Sequence, residues 1–244
     1  MNKRLYLLIA ILFICNCSPK IRTTISNSDY KKLDDNIDVL VINESEVPEN
    51  SNYIGELKVG DSGFTTDCGY EKIINEAKIE AKKLGGNIIQ VIEIIEPQKW
   101  GSTCYRLKAK IFRNLDSKLL LPFIEERLNK NKSSLPSNSE FSKIYFYRPK
   151  MVTGSLLGYK IRMDNDSVVC RVRNGKKYEV KIVDFGKHKF WAKIESRDSI
   201  VIDVKKGQEY FVRCSVGLGV FVGKPEFSLV ENHVARKEFQ DMDK

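Results

Sequence analysis

The side chains of this sequence best suited to covalent chemistry are six cysteines, at positions 15, 17, 68, 104, 170 and 214. Cysteine offers lipid attachment at a processed N-terminus, disulfide formation and thiolate reactivity. Cys15 and Cys17 close an apolar run, so lipid attachment applies to them. Cys17 is favoured because compact Asn16 precedes it; Cys15, preceded by bulky Ile14, is the alternative. The other four are an even number, two in each half of the chain, and in an exported protein that pattern favours disulfides. Cys68 with Cys104 would tie the start of a helix to the start of a later strand, contributing roughly 4 kcal/mol by restricting the unfolded chain. A redox-responsive pair competes with that reading, since a thiol near a helix N-terminus is acidified. The chain has no C-x-x-C motif, which favours the structural bridge. Strand parity points Cys170 and Cys214 inward, where an inter-sheet bridge and two buried thiols are both compatible with the sequence.

Other reactive constellations are sparse. The two histidines, His188 and His233, stand far apart, one at a strand start and one in a polar terminal segment. A Ser-His-acid triad needs a base oriented beside a nucleophile, and no Gly-x-Ser-x-Gly elbow is present. Cys and His ligands at zinc spacing are absent as well, so no metal or other cofactor is expected. Asp164 and Asp166 have donors for weak Ca²⁺ binding, and a solvated turn accounts for them more simply. Gly217-Leu-Gly219 lies between strands rather than before a helix, so a hairpin turn explains it better than a phosphate loop.

The leader sets the address. Lys3 and Arg4 precede an apolar stretch over 5–15, and the segment ends Ile14-Cys15-Asn16-Cys17-Ser18-Pro19. A membrane-spanning helix needs about 20 residues, so this stretch is a cleaved signal running into a lipid-modified cysteine. Stable anchoring needs more than one acyl chain, which a triacylated cysteine supplies. The expected location is the cell envelope of a Gram-negative bacterium, at the outer membrane because Ser18 rather than Asp follows Cys17, facing the periplasm or the surface.

Elements must position these residues. Residues 1–16 are the signal peptide, and 17–36, rich in Ser, Asn, Asp and Lys, read as a flexible tether. Residues 37–115 form a small α+β domain, with strands at 37–42 and 53–59, a helix at 71–84, and strands at 87–95 and around 105–111. Ile73, Ala77, Ala81 and Leu84 make the apolar stripe of that helix, Asp67 is a candidate N-cap and Gly85-Gly86 the stop. Residues 116–140 are a linker able to hold a short helix. Residues 141–240 carry short strands at 143–148, 158–162, 167–173, 179–183, 188–195, 200–204 and 209–216, with more near Val220 and Phe227. That spacing is the mark of an all-β sandwich. The fold class is therefore one helix on a small mixed sheet, followed by a β-sandwich.

Charge is uneven. The net charge is +9; residues 38–114 hold ten Lys/Arg against twelve Asp/Glu, and 141–239 hold twenty against eleven. Outward strand positions place Arg171, Arg173, Lys181, Lys193 and Arg213 on a cationic face. Such asymmetry favours an anionic neighbour. In an envelope that is lipid headgroups, acidic glycan or an envelope protein, while the compartment disfavours nucleic acid.

Two resemblances bear on these halves. The segment Tyr53-Ile-Gly-Glu-Leu-Lys-Val-Gly, Ala-Lys-Lys-Leu-Gly-Gly-Asn over 81–87, and Ser102-Thr-Cys104-Tyr-Arg resemble the core of RcsF-like envelope lipoproteins. This resemblance implies a disulfide-stabilised α+β domain and a role in stress sensing, and Cys68 with Cys104 resembles one of that family's bridges. Its other cysteines have no counterpart here. The second half resembles the domain-of-unknown-function 2846 family through Ile144-Tyr-Phe-Tyr-Arg148-Pro149, Gly186-Lys-His188-Lys-Phe and Gly207-Gln-Glu-Tyr210-Phe-Val-Arg213. That family implies a β-rich, lipid-anchored protein and no defined activity. The expected function is a non-enzymatic binding or structural role in the envelope. A stress or redox sensor is the alternative, and a hydrolase with an unfamiliar site a second one.

Overall fold

Period-two alternation of apolar and polar side chains gives β3, Asn52–Gly60, a buried face with Leu57 and Val59, and a register shift between Tyr53 and Gly55 lets Ile54 be buried as well. The computed structural model describes residues 19–27, 29–43, 46–61, 68–98, 102, 104–217, 219 and 221–243. Among them the chain is mostly β, with three helices and three sheets. The first sheet joins β1 (Lys20–Ile25), β2 (Leu40–Ile42), β3, β4 (Ile88–Ile95) and β5 (Arg106–Arg113) in the order β1-β3-β5-β4-β2. Among the described residues of this sheet only β2 and β4 pair in parallel. Lys20–Ile25, expected in a flexible tether, is instead an antiparallel edge strand on β3, from Lys20 opposite Gly60 to Ile25 opposite Gly55. Its side chains stay largely exposed, so burial left no mark in its composition; the backbone ladder holds it. The strand expected at 37–42 is limited to Leu40–Ile42.

Helix α1, Tyr70–Lys83, lays Ile73, Ile74, Ala77 and Ala81 against this sheet. Asp67, the expected cap, lies outside the described residues, and Gly69 occupies the N-cap position. The helix stops where Gly85 adopts φ +82°, a left-handed conformation that glycine enters without Cβ strain. Gly86 N–H bonds Ala81 O and Gly85 N–H bonds Lys82 O, satisfying two terminal carbonyls in a Schellman arrangement. Helix α2, Ser117–Lys130, fills the expected linker, capped by the Asp116 carboxylate on Lys118 N–H.

The remaining strands are β6 (Ser142–Arg148), β7 (Tyr159–Met163), β8 (Ser167–Val172), β9 (Lys176–Ile182), β10 (Gly186–Lys193), β11 (Arg197–Val204), β12 (Glu209–Gly217) and β13 (Lys224–Val230). They form two four-stranded sheets, β11-β10-β7-β8 and β13-β12-β6-β9. Ile144, Phe146, Ile161, Phe190, Ile202 and Val212 fill the space between the sheets. The opposite face of the β6 and β12 sheet is buried too: Tyr147, Phe211 and Val230, with Ala235 of α3 (Asn232–Asp241), join Ile54, Ile73 and Ile89 in one core. The approach of α1 to β13 is close, since a Cβ on Gly69 would stand 2.6 Å from Ser228 Oγ.

Candidate functional site

The outer face of the β11-β10-β7-β8 sheet concentrates cations. Inward β10 positions are His188, Phe190 and Ala192, so parity turns Lys187, Lys189, Trp191 and Lys193 outward. Cross-strand register sets Trp191 opposite Arg162 on β7 and Ser199 on β11, and Lys193 opposite Arg197. The guanidinium carbons of Arg162 and Arg197 lie 5.1 and 4.2 Å from the Trp191 ring centre, so the indole is an aromatic plate held between two cations. Arg162 also pairs with Asp166 at 2.6 Å. Exposed Lys160 and Arg171, opposite each other on β7 and β8, extend the positive face. The arrangement presents several ammonium and guanidinium donors with a flat ring, suited to phosphates, carboxylates or acidic sugars.

The expected cationic residues divide. Arg171 and Lys193 belong to this face, and Arg173 is exposed just beyond β8. Lys181 lies on β9 in the other sheet, its ammonium 4.1 Å from the Phe141 ring centre. Arg213 is not on any open face: it is 6% exposed, because its side of β12 is covered by α3 and the first core. Its parity followed from the sequence, whereas the covering layer is a long-range feature. The missing members, Arg162, Trp191 and Arg197, were signalled only by the Lys187, Lys189, Trp191, Lys193 alternation.

Arg213 anchors a buried polar network. Its Nη1 donates to Glu238 Oε2 at 2.5 Å and to Tyr105 Oη at 3.2 Å, Tyr147 Oη donates to Glu238 Oε2 at 3.0 Å, and Tyr105 Oη donates to Glu238 Oε1. Burial disfavours the guanidinium charge, but Tyr105, Glu238 and Tyr147 outweigh it and raise the Arg213 pKa. Burial, joined by the Glu238 charge, pushes both phenols far above their ordinary value. Cys68 and Cys104 form a disulfide with 5.1 Å between Cα atoms, and Tyr105 N–H donates to Cys68 O at 3.1 Å. The bridge therefore abuts the network.

Cys170 and Cys214 are not bridged. Cys170 sits on β8 and Cys214 on β12, in different sheets, and burial raises the Cys170 thiol to about 12 and the Cys214 thiol further. Cys214 is buried and Cys170 half-buried, and both pack in the core between the sheets. The lipid-site candidates Cys15 and Cys17 lie outside the described residues.

His188 is a clasp. Its Nδ1 lies 2.7 Å from Asp164 Oδ2 and its Nε2 3.0 Å from Asp184 O. Both partners are acceptors, an arrangement that a doubly protonated ring satisfies, and the Asp164 hydrogen bond raises the His188 pKa. Asp164 also accepts Lys189 N–H at 2.8 Å and Asp166 is paired with Arg162, so the expected turn, not a cation site, engages these carboxylates. His233 Nδ1 bonds Asn131 Oδ1 at 3.0 Å, joining α3 to the end of α2.

A polar cleft of about 590 Å³ opens beside the network, lined by Arg213, Ser215, Glu226 and Ser228 together with Tyr105 and Arg148. Ser215 Oγ donates to Glu226 Oε2 at 3.1 Å, and neither histidine is among the lining residues. No protein-family model matches this chain, nor does any curated protein or solved structure.

Proposed function

We propose that this protein is an exported, lipid-anchored component of a Gram-negative cell envelope, tethered to the outer membrane through acylated Cys17, with a non-catalytic binding role toward an anionic envelope component. The carrying observation is the Trp191 plate between Arg162 and Arg197 on a sheet face that also presents Lys160, Arg171, Lys189 and Lys193. The leader and the Cys68–Cys104 bridge, which suits an oxidising compartment, support the location. The resemblances to RcsF-like lipoproteins and to the domain-of-unknown-function 2846 family agree with it, as does an α+β unit tied by a disulfide beside a β-sandwich. The test is photo-crosslinking in intact cells from position 193, with identification of what is trapped. Capture should fall when Lys160, Lys189 and Arg197 are all replaced by Glu; capture unchanged by that reversal refutes the reading.

A redox or stress sensor is the second reading. It is favoured by the contact of Tyr105 with both the disulfide and the Arg213–Glu238 pair, through which opening the bridge would loosen the shared core. Partner capture by the Cys68→Ser, Cys104→Ser chain decides it, and capture equal to that of the bridged protein removes the sensor.

A further inference from the structure

Among the described residues, the two most solvent-exposed large apolar side chains are carried by neighbouring loops. Leu156 is 98% exposed and Phe221 90%, with Val222 and Val152 beside them at 56% and 40%. The two loops that carry them flank Val216: a Cβ on Gly154 would lie 2.7 Å from Val216 Cβ, and one on Gly223 would lie 2.9 Å from Val216 Cγ1 and 3.6 Å from Leu157 Cδ1.

Over 152–157 and 221–223 the backbone is held in place by side chains from elsewhere in the fold. Buried Arg148 grips the first through its backbone, with Nη1 donating to Leu157 O at 2.6 Å and Nη2 to Gly154 O at 2.7 Å. The Glu195 carboxylate grips the second: Oε2 accepts three successive N–H groups, from Phe221 at 3.1 Å, Val222 at 3.0 Å and Gly223 at 3.2 Å. Each clasp uses a charged side chain to fix a backbone whose apolar side chains point into water. Apolar side chains held in solvent by a rigid frame are pre-organised for an apolar medium.

Cations surround this tip. Met151 and Asn174 exchange two hydrogen bonds of 2.9 and 2.8 Å, which brings Lys150 and Lys176 beside the first loop. Arg173 Cγ and Arg171 Nε lie 3.4 and 4.0 Å from where a Gly158 Cβ would stand, and Lys224 follows directly on Gly223. An apolar point inside a cationic collar is complementary to a bilayer whose anionic headgroups overlie acyl chains. We propose that this two-loop tip inserts into the surface of an anionic membrane, with Leu156 and Phe221 reaching the acyl boundary and Lys150, Arg171 and Arg173 meeting lipid phosphates, while Lys224 pairs with Glu226. The proposal rests on the envelope reading above and deepens it by naming the anionic component as lipid.

The test uses the full chain, extracted from cells and reconstituted into phosphatidylcholine vesicles with or without phosphatidylglycerol. Phe221→Trp is introduced, and its emission is taken as the difference from the unsubstituted protein. In vesicles containing phosphatidylglycerol the added emission should shift to the blue and be quenched by lipids brominated on their acyl chains. Both effects should be lost in pure phosphatidylcholine and when Leu156→Asp and Val222→Asp are added; all three sites are at least half exposed, so the fold does not depend on them. Emission that stays solvent-like in anionic vesicles overturns the proposal. So does quenching indifferent to anionic lipid, and so does a blue shift that appears only when envelope proteins are added, which would assign the tip to a protein partner. Flotation of the Cys17→Ser chain with neutral vesicles reads the tether separately, so failure of the tip and failure of the envelope reading are distinguishable.

Discussion

Replacing Arg213 with methionine removes the cation that pairs with the Glu238 carboxylate in the buried network and leaves it the phenols of Tyr105 and Tyr147. Breaking a buried ion pair from one side costs about 3–5 kcal/mol, because the surviving charge stays out of water. The phenolic hydrogen bonds persist, which places the expected cost near the lower end. With a urea dependence of about 3 kcal/mol per molar for a chain this long, the unfolding midpoint should fall by about 1 M. Glu238→Gln should cost a similar amount by orphaning the guanidinium. The double variant, Arg213→Met with Glu238→Gln, removes both charges yet keeps a carbonyl oxygen to accept from Tyr105 and Tyr147. It should therefore be more stable than either single variant, which with single costs near 3 kcal/mol means a coupling of more than about 3 kcal/mol in a double-mutant cycle. The assay is equilibrium urea unfolding followed by far-ultraviolet circular dichroism and tyrosine fluorescence together. A midpoint shift below about 0.3 M for Arg213→Met, or strictly additive costs, would refute the view that this network ties the two halves.

Further outcomes follow from the same geometry. The His188 clasp needs a protonated ring and an ionised Asp164, whose pKa is lowered first by its hydrogen bond from His188. A raised histidine value means the contribution is complete below about pH 6.5 and is lost as pH rises through the folded value, and a depressed carboxylate value means loss as pH falls below about 4. The melting-temperature difference between wild type and His188→Gln should thus be largest between those limits and shrink at pH 9. Reducing Cys68–Cys104 should lower stability by about 4 kcal/mol, read from the urea midpoint before and after mild reduction. Cys170 and Cys214 should resist thiol reagents in the native protein at pH 8 and react fully in urea, as counted by mass shift. Cys17→Ser should leave only a membrane association that a high-salt wash removes, while Cys15→Ser keeps the salt-resistant association of the lipid anchor, and the reverse pattern would move the lipid site.

Strands with one buried face were legible because alternation records that burial: β5 reads Leu107, Ala109, Ile111 against Arg106, Lys108, Lys110, and β10 reads His188, Phe190, Ala192 against its lysines. The Gly85-Gly86 stop was legible because a helix often ends on a left-handed residue, which glycine adopts without Cβ strain. Strand β1 was not, since an exposed edge strand is specified by the backbone groups of its neighbour rather than by its own side chains. Arg213 shows the limit most clearly. Its parity was readable, but whether an outward position meets water or another layer is decided by α3 and the first core, distant in sequence. Cys170 and Cys214 likewise both point inward, from different sheets, without the bridge that parity alone allowed. The tip escaped for a similar reason: Gly217-Leu-Gly219 read as an ordinary turn, while the carboxylate that shapes the following loop comes from Glu195 on the β10–β11 connection.

Carboxylates recur wherever distant segments meet. Glu209 accepts from Ser134 N–H at 2.5 Å, Ser134 Oγ at 2.8 Å, Tyr145 Oη at 3.0 Å and Arg236 Nη2 at 3.0 Å, so one side chain on β12 fixes the segment after α2, a strand and the C-terminal helix. These bonds, led by those from Ser134, overcome the burial that opposes the charge and lower the Glu209 pKa. Glu238 and Glu195 do the same for the shared core and for the loop bearing Phe221. A buried acceptor left unsatisfied costs about 1–3 kcal/mol, so each carboxylate stabilises one arrangement of its donors and penalises the rest. The hydrophobic effect is non-directional, and these carboxylates add directional contacts that disfavour other arrangements of the same segments. That fixed arrangement matters for the proposed binding mode. The Trp191 face and the apolar tip share Arg171, and a bilayer or polyanion can engage both only if the loops and the sheet keep their relative positions.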